Sequence, residues 1–433
     1  MYFWGITYLV IMADLFGNVS RTERQEQGVQ KWVDNKLVGT LNWATGVGKT
    51  RGGLLAINRF LKKNPDKSVI IVVPSEPIQR QWNQELIEWN LFKQCSVKTM
   101  NDTSSHEYSC SLLVIDEIHK IGAPTLLNIF KTVKYSIILG LTATFERLDG
   151  KDEIIKKKCP IVDTISVEDA ISNNWLSDYK EYEVLIEPED IEVYRTVNKE
   201  FYDHFAYFNY NFTLAMSCAT DWQQRAKLAK EKCSEDRTED FKTVNKQILV
   251  HAMGFSRTLQ ARKKYIYNHP RKIELTNLIL EHRQDKKCIT FSSTVAMAER
   301  IKYGLVYSGK DTVKKGRMNL QDFIQQDGGV LNTVMKLNEG FNCPDISVSV
   351  ILGFNSSPTT KKQRIGRVIR KKEGKVAEVF TLVLKGTVEE AWFDKSTSSG
   401  KYISISEDCL LDVLEGNSYN PKKKKETKMI FRV

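Results

Sequence analysis

Six residues, Thr45-Gly46-Val47-Gly48-Lys49-Thr50, have the composition of a loop that grips a polyphosphate. They follow a strand-like run and precede a helical one, Arg51–Leu61. Glycines let the backbone turn its N–H groups toward phosphate oxygens, and the start of the following helix adds positive potential. Lys49 is placed to neutralise the outer phosphates and Thr50 to hold Mg²⁺ through its hydroxyl. The longer G-x-x-x-x-G-K-T pattern fails at its first position, where Trp43 stands. A Gly-Lys-Thr turn also arises by chance, so the loop needs a partner motif.

That partner is an acidic pair. Leu112-Leu113-Val114-Ile115 runs into Asp116-Glu117-Ile118-His119. A buried strand ending in two carboxylates sets them at the strand's C-terminal edge, where open α/β sheets bind ligands. Asp116 suits Mg²⁺ and Glu117 suits orienting and deprotonating a water. The bland alternative, a solvated strand end, loses force once loop and acids occur together.

A third group is basic. In Gln363-Arg364-Ile365-Gly366-Arg367-Val368-Ile369-Arg370, the residues Gln363, Arg367 and Arg370 are spaced i, i+4, i+7. A continuous helix puts all three on one stripe and turns Arg364 about 100° away. Such a stripe suits a γ-phosphate; a basic helix lying on nucleic acid is the competing reading. In related phosphoryl transfers an arginine of this kind contributes about 10³–10⁵ in rate.

These groups must be held by elements, and the chain supplies two series of them. Apolar runs at 68–73, 112–115 and 136–141 alternate with amphipathic stretches such as 78–90. Continuous apolar strands between helices predict a buried parallel sheet. A second series begins near His269, with a helix at 272–281 and strands at 288–291, 348–352 and 376–383. Between them, 188–268 has helical spacing and few strand signals. The expected division is an N-terminal extension at 1–20, a first lobe at 21–187, a helical insertion at 188–268, a second lobe at 269–410 and a basic tail at 411–433.

With 433 residues the chain is too long for one ordinary core. It has 41% apolar and 27% charged residues and a formal net charge of +11. The charge favours a polyanionic partner such as nucleic acid without proving one. Eight scattered cysteines without a C-x-x-C pair argue against a zinc site or a disulfide framework and fit a reducing, cytoplasmic compartment. The apolar start, residues 1–16, has no basic residue before it and ends too soon for a spanning helix of about 20 residues. It reads as a packed extension, or as sequence upstream of a start at Met12, and no membrane segment is expected.

Together, ATGVGKT (44–50), DEIH (116–119), TAT (142–144) and QRIGRVIR (363–370) occur in the order and spacing of motifs I, II, III and VI of the superfamily 2 helicases. GLTATFERLDGK (140–151) and the series from 262 to 291 resemble the XPB-type and phage recombination-repair helicases. The resemblance covers about residues 21 to 401. It implies an α/β fold of two RecA-like domains with parallel sheets, sharing one ATP site and using ATP and Mg²⁺. It implies Arg367 and Arg370 as fingers from the second lobe, and Gln363 as a nucleotide or water contact. Gln25, following Arg24, is the candidate adenine contact, or else an ordinary helix-start glutamine. Ser75, Ser293 and Thr333 would touch the sugar–phosphate backbone; Thr142, Thr144, Glu339 and Gly340 would couple the lobes. Phe145 and Asn342 depart from the family pattern, which has proline and aspartate there. The expected activity is ATP-driven translocation on nucleic acid, DNA before RNA, with strand separation. The alternatives are a duplex translocase without unwinding, an RNA helicase, and a nucleotide-gated binding protein without turnover.

Phe201–Phe212 holds seven aromatics in twelve residues. Phe201, Phe205, Phe208 and Phe212 have the spacing of a helix core face; a stacking platform for unpaired bases, at about 1–3 kcal/mol per stack, is the second reading.

Overall fold

The computed structural model describes residues 19–417 except 124, 146–149, 151, 236–239, 308–312, 335–342, 344 and 398–401. The expectations for residues 1–18, for the Pro421–Lys428 tail and for Glu339, Gly340 and Asn342 therefore lie outside the described residues. No helix among the described residues is long and apolar enough to cross a membrane.

The first sheet contains β1 (Val38–Trp43), β2 (Val69–Val73), β3 (Cys95–Thr99), β5 (Leu112–Asp116), β7 (Ile137–Thr142) and β8 (Ile161–Ile165). A small pair, β4 (Tyr108–Ser109) with β6 (Val133–Lys134), lies outside it. The order is β3-β2-β5-β7-β1-β8, with all neighbours parallel. β2 and β5 are buried along their whole length, as their unbroken apolar sequence requires of strands covered on both faces. Because β5, β7 and β1 are neighbours, their C-terminal ends bring Asp116, Thr142 and the phosphate loop to one edge.

The second sheet runs β11 (Leu305–Tyr307), β12 (Gly329–Val334), β10 (Lys287–Ser292), β13 (Ile346–Ile351), β14 (Val376–Leu384), β9 (Asp178–Ile186), β15 (Ile403–Ser406), again all parallel. This corrects the expected first-lobe limit at residue 187. β9 pairs with β14 from Asp178↔Val376 to Ile186↔Leu384, so the chain enters the second sheet before the insertion. The polar first half of DYKEYEVLI hides a strand whose acids are held inside: Glu181 is buried against Lys361, with Nζ–Oε1 at 2.5 Å. The insertion is thus a branch of the second lobe. The helix Leu410–Glu415 likewise belongs to that lobe, with Leu410 and Leu414 in its core and Leu414 O accepting from Arg283.

The insertion comprises helices Ile191–Ala206, Phe212–Thr220, Trp222–Glu235 and Phe241–Asn268 around their own core. Phe201 and Phe208 are buried in it and Phe205 packs against it, so the core reading of the aromatic stretch holds for these three. The first helix ends at Ala206, and Phe212 begins the next one, 50% exposed.

Trp43 is the residue that broke the loop pattern, and the core explains it. Its ring is fully buried between helices Val19–Asp34 and Lys49–Lys63, at Gly28 and Gly52, where any side chain would collide with it. Trp43 Nε1 donates to Asp163 Oδ2 at 2.8 Å, and the same carboxylate accepts from Arg24 at 2.8 Å and Lys31 at 2.6 Å. Burial would raise the Asp163 pKa, yet these donors hold it below the ordinary value. Asp163 thereby ties the first helix to β8. A depressed folded pKa gives stability that is present above the unfolded value of about 4 and is lost as pH falls through the folded one. Asp163→Asn is expected to lower unfolding free energy by about 1–3 kcal/mol at pH 7, since Arg24 and Lys31 stay partly solvated. In urea titrations the gap to wild type should narrow below about pH 4.

Candidate active site

The phosphate loop leaves β1 at Ala44 and turns through two residues of positive φ, Gly46 at 91° and Gly48 at 97°. Gly48 caps the helix Lys49–Lys63 in the left-handed conformation that glycine tolerates. A side chain at Gly48 would also strike Gln25, 2.5 Å from its Nε2. The first N–H groups of such a helix lack intrahelical partners, an arrangement that suits an anion.

Gln25 is buried and its Nε2 donates to Val47 O at 2.7 Å. Arg51 donates to Gln25 Oε1 at 2.9 Å and to Thr22 Oγ1 at 2.7 Å. Arg21, one turn before Gln25, donates to Gly46 O at 2.6 Å and Val47 O at 3.1 Å. Arg21 and Arg51 were missed by sequence reasoning, although the i−4 spacing of Arg21 from Gln25 is a signal for it. Burial, then Arg51, lowers the Arg21 pKa.

Asp116 closes β5, nearly buried, and accepts from Trp82 Nε1 at 2.9 Å and from the Glu117 N–H at 2.9 Å. Burial, then the Glu117 carboxylate, pushes its pKa up to about 6, against the pull of Trp82 and Lys49. Glu117 has φ 51° and ψ 49°, a left-handed turn unusual for its type, which swings its carboxylate out of the strand. Its Oε2 is buried without a hydrogen-bond partner and lies 3.4 Å from His119 Nδ1. His119 also meets Thr142 Oγ1 at 2.9 Å, and Thr142 Oγ1 donates to Thr144 O at 2.9 Å. A polar chain therefore leads from Glu117 through His119 to the two expected coupling threonines.

The second lobe reaches this edge through the helix Pro358–Val368. Gly366 lies directly on Thr45, where a methyl group would sit 2.5 Å from Thr45 Cβ. Gln363 and Arg367 are both buried on this helix. Burial, then Arg370, lowers the Arg367 pKa to about 10, while Glu117 of the first lobe raises it. Arg364 points elsewhere, donating to Gly353 O at 2.6 Å over the Phe291 ring.

The expected single stripe is corrected at its last member. The helix ends at Val368 and Arg370 forms an antiparallel bridge with Leu176. The cause is the link between the lobes: Ser177 N donates to Ile369 O at 2.8 Å, drawing that segment out of the helix. Arg370 still reaches the loop, its Cγ 3.8 Å from a methyl placed on Gly46, and its pKa is lowered by burial and by Arg21, against an opposing pull from Cys343.

The three expected backbone contacts fare differently. Ser75 precedes the helix Glu76–Glu88 with its Oγ buried and unpartnered. Ser293 is half-buried against Gly353. Thr333 is fully buried in β12, donating to Thr290 O at 2.7 Å, so it has no surface to offer a phosphate; its place within the strand rather than beyond it is the reason.

Comparison with known proteins covers both lobes. Residues 18–109 and 91–147 match the family model of the type III restriction enzyme, res subunit, and 271–372 match the helicase conserved C-terminal domain. The chain is 26% identical over 387 residues to the DNA 3′-5′ translocase XPB2 of Sulfurisphaera tokodaii, covering 84% of this chain and 82% of that one. It is 32% identical over 142 residues to a putative ATP-dependent RNA helicase, QP509L, of African swine fever virus, covering 27% of this chain and 26% of the viral one. Among solved structures, S. cerevisiae Dbp5 bound to RNA and ADP BeF3 aligns with TM-score 0.55 and 14% identity, over 90% of this chain and 91% of its own. The type ISP restriction-modification enzyme LlaBIII bound to DNA aligns with TM-score 0.56 and 13% identity, over 92% of this chain and 32% of its own. These two likenesses concern the fold, a pair of RecA-like domains.

If Lys49 holds the phosphates and Glu117 is the base, holding and chemistry are separable. Lys49→Ala should lose ATP affinity, whereas Glu117→Gln should retain it and lose turnover by about 10²–10⁴-fold, because only the base is removed. Nucleotide-binding titrations beside steady-state phosphate release check this, and wild-type turnover in Glu117→Gln would refute the role of the base.

Proposed function

We propose that this chain, which belongs to the superfamily 2 helicases and is related to XPB, uses ATP hydrolysis to move along DNA and to separate or remodel its strands. The observation that carries the reading is the closed contact of Gly366 on Thr45, which places Arg367 of one lobe within the field of Glu117 of the other. A site assembled from two lobes opens and closes with each ATP consumed, and that motion is what a stepping motor needs. DNA is chosen over RNA on the breadth of the match to the archaeal translocase; the match to the viral RNA helicase spans about a quarter of each chain.

In this reading Lys49 and the loop N–H groups hold the β- and γ-phosphates, and Gln25 with Arg21 fixes the base side of the loop. The donors fit a magnesium ion: Asp116 is a buried carboxylate beside a second one, with the Thr50 hydroxyl at the start of the loop helix. Bound there, the ion would offset charge on the phosphate oxygens. Glu117 orients the attacking water and takes its proton. Arg367 and Arg370 face charge that grows on the γ-phosphate as the bond to the leaving group breaks. Ser75, through the backbone at the start of its helix since its hydroxyl is buried, and Ser293 would meet the nucleic-acid backbone, one from each lobe.

Arg367→Ala should leave ATP affinity within a few-fold of wild type and reduce the hydrolysis rate about 10³-fold or more, with stimulation by DNA lost as well. Normal hydrolysis with lost DNA binding would favour instead a basic helix lying on the strand. Gly366→Ala should act alike without touching a charge. Holding the lobes about 1 Å apart is expected to lower kcat about 10²-fold at near-normal nucleotide affinity, read by single-turnover hydrolysis.

A further inference from the structure

Asp116 has two oxygens and each is claimed by a donor from a different element. Oδ1 accepts the N–H of Glu117, its own neighbour; Oδ2 accepts the indole N–H of Trp82, on the helix Glu76–Glu88. The indole is 1% exposed, and its far edge lies against Gly53 of the phosphate-loop helix, where a methyl group would stand 2.7 Å from Cη2. The ring therefore cannot slide along Asp116 without moving the helix that carries it. That helix is a stiff body: Ile78, Trp82 and Leu86 form its buried face, and Gln79 Nε2 donates to Val97 O at 2.7 Å. Two turns before Trp82 it begins at Ser75, whose hydroxyl is buried and unpartnered.

We propose that Trp82 is a positioning residue of the ATPase site: its indole N–H sets the orientation in which Asp116 receives magnesium, and makes that orientation follow the helix begun by Ser75. A shift of that helix on engaging nucleic acid is delivered to the carboxylate through one hydrogen bond rather than through the loop. The coupling half rests on the reading above that Ser75 meets nucleic acid; the magnesium half does not.

Trp82→Phe in the full chain keeps an aromatic ring on the buried face of its helix and removes the N–H together with the indole edge that meets Gly53, so analogue binding in chelator serves as the control for lost packing. Three quantities separate the possibilities. Affinity for a fluorescent non-hydrolysable ATP analogue in chelator should stay within about twofold of wild type, because Lys49 and the loop are intact. The gain in that affinity on adding magnesium should fall about tenfold, the effect of losing one hydrogen bond to a charged group. Stimulation of hydrolysis by DNA should drop by a similar factor, while DNA binding without nucleotide is unchanged. A wild-type magnesium effect in Trp82→Phe overturns the proposal, as does equal loss of analogue binding in chelator, which would make the ring mere packing. If DNA fails to stimulate the wild-type protein, the DNA reading falls, and the magnesium titration still decides the role of Trp82.

Discussion

Like charges gathered around one loop are the constraint on which the closed structure depends. Lys49 begins the loop helix, Arg21 and Arg51 stand on one side of the loop, and Arg367 and Arg370 arrive from the second lobe. Burial and mutual repulsion lower the pKa of Arg21, Arg367 and Arg370. Desolvating cations costs several kcal/mol each unless anions accompany them, and Asp116 and Glu117 are the acids at this edge. On the proposed function, a triphosphate bound here would add negative charge to this cluster and favour the closed arrangement over an open one, and such a difference is what turns nucleotide binding into lobe movement.

Small residues make the contact close enough for those charges to act. Gly366 lets the second lobe's helix rest on Thr45, and Leu176, in the link between the lobes, lies 2.9 Å from where a methyl on Gly46 would be. The link is also sewn to the end of the arginine segment, with Ser177 N bonded to Ile369 O and Lys372 N bonded to Ser177 Oγ. Apolar packing runs through this seam without a break: Trp175, Leu176, Ile365 and Ile369 belong to the same cluster as both sheets' inner faces. The segment that joins the lobes therefore packs directly on the phosphate-loop residues and on the arginine segment, so on the proposed function it would respond to a change at the phosphates.

Chemistry was more legible in the sequence than geometry. Lys49, Asp116, Glu117 and Arg367 could be singled out as candidates because each sits at a fixed offset from a strand end or along a helix, and local periodicity encodes such offsets. Strands β2 and β5 were found because burial on both faces demands unbroken apolar sequence. β9 is easily placed in the wrong lobe because, although it lies between β14 and β15, its charged first half hides the apolar strand pattern, and its partner β14 lies almost two hundred residues later. Arg370 seemed helical until a bond from a distant serine pulled it out of register. Thr333 looked like a strand-end hydroxyl, but one or two residues decide whether such a group faces solvent or the sheet interior. Trp43 broke a motif for a reason held in three other places, Gly28, Gly52 and Asp163.

The placement of β9 also changes what the insertion does mechanically. The four helices branch from β9 and return at Pro270, so both ends are fixed in the second sheet's lobe. Tyr194 Oη accepts the Val388 N–H at 3.1 Å, and Tyr265 donates to Asp190 at 2.7 Å, clamping the base of the branch. Beneath it, the fully buried pair Lys272–Glu389 at 2.6 Å ties the helix Pro270–Glu281 to the helix Val388–Ser396 of the same lobe. The helix Phe241–Asn268 has 28 residues and so extends about 42 Å from that base. Held at one end, a rod of this length multiplies small rotations. A turn of the second lobe that opens Gly366 from Thr45 by a few ångströms carries the far end of the insertion through a larger arc. On the proposed function, the lobe that carries Arg367 toward the phosphates would thus also be the lobe that moves the insertion.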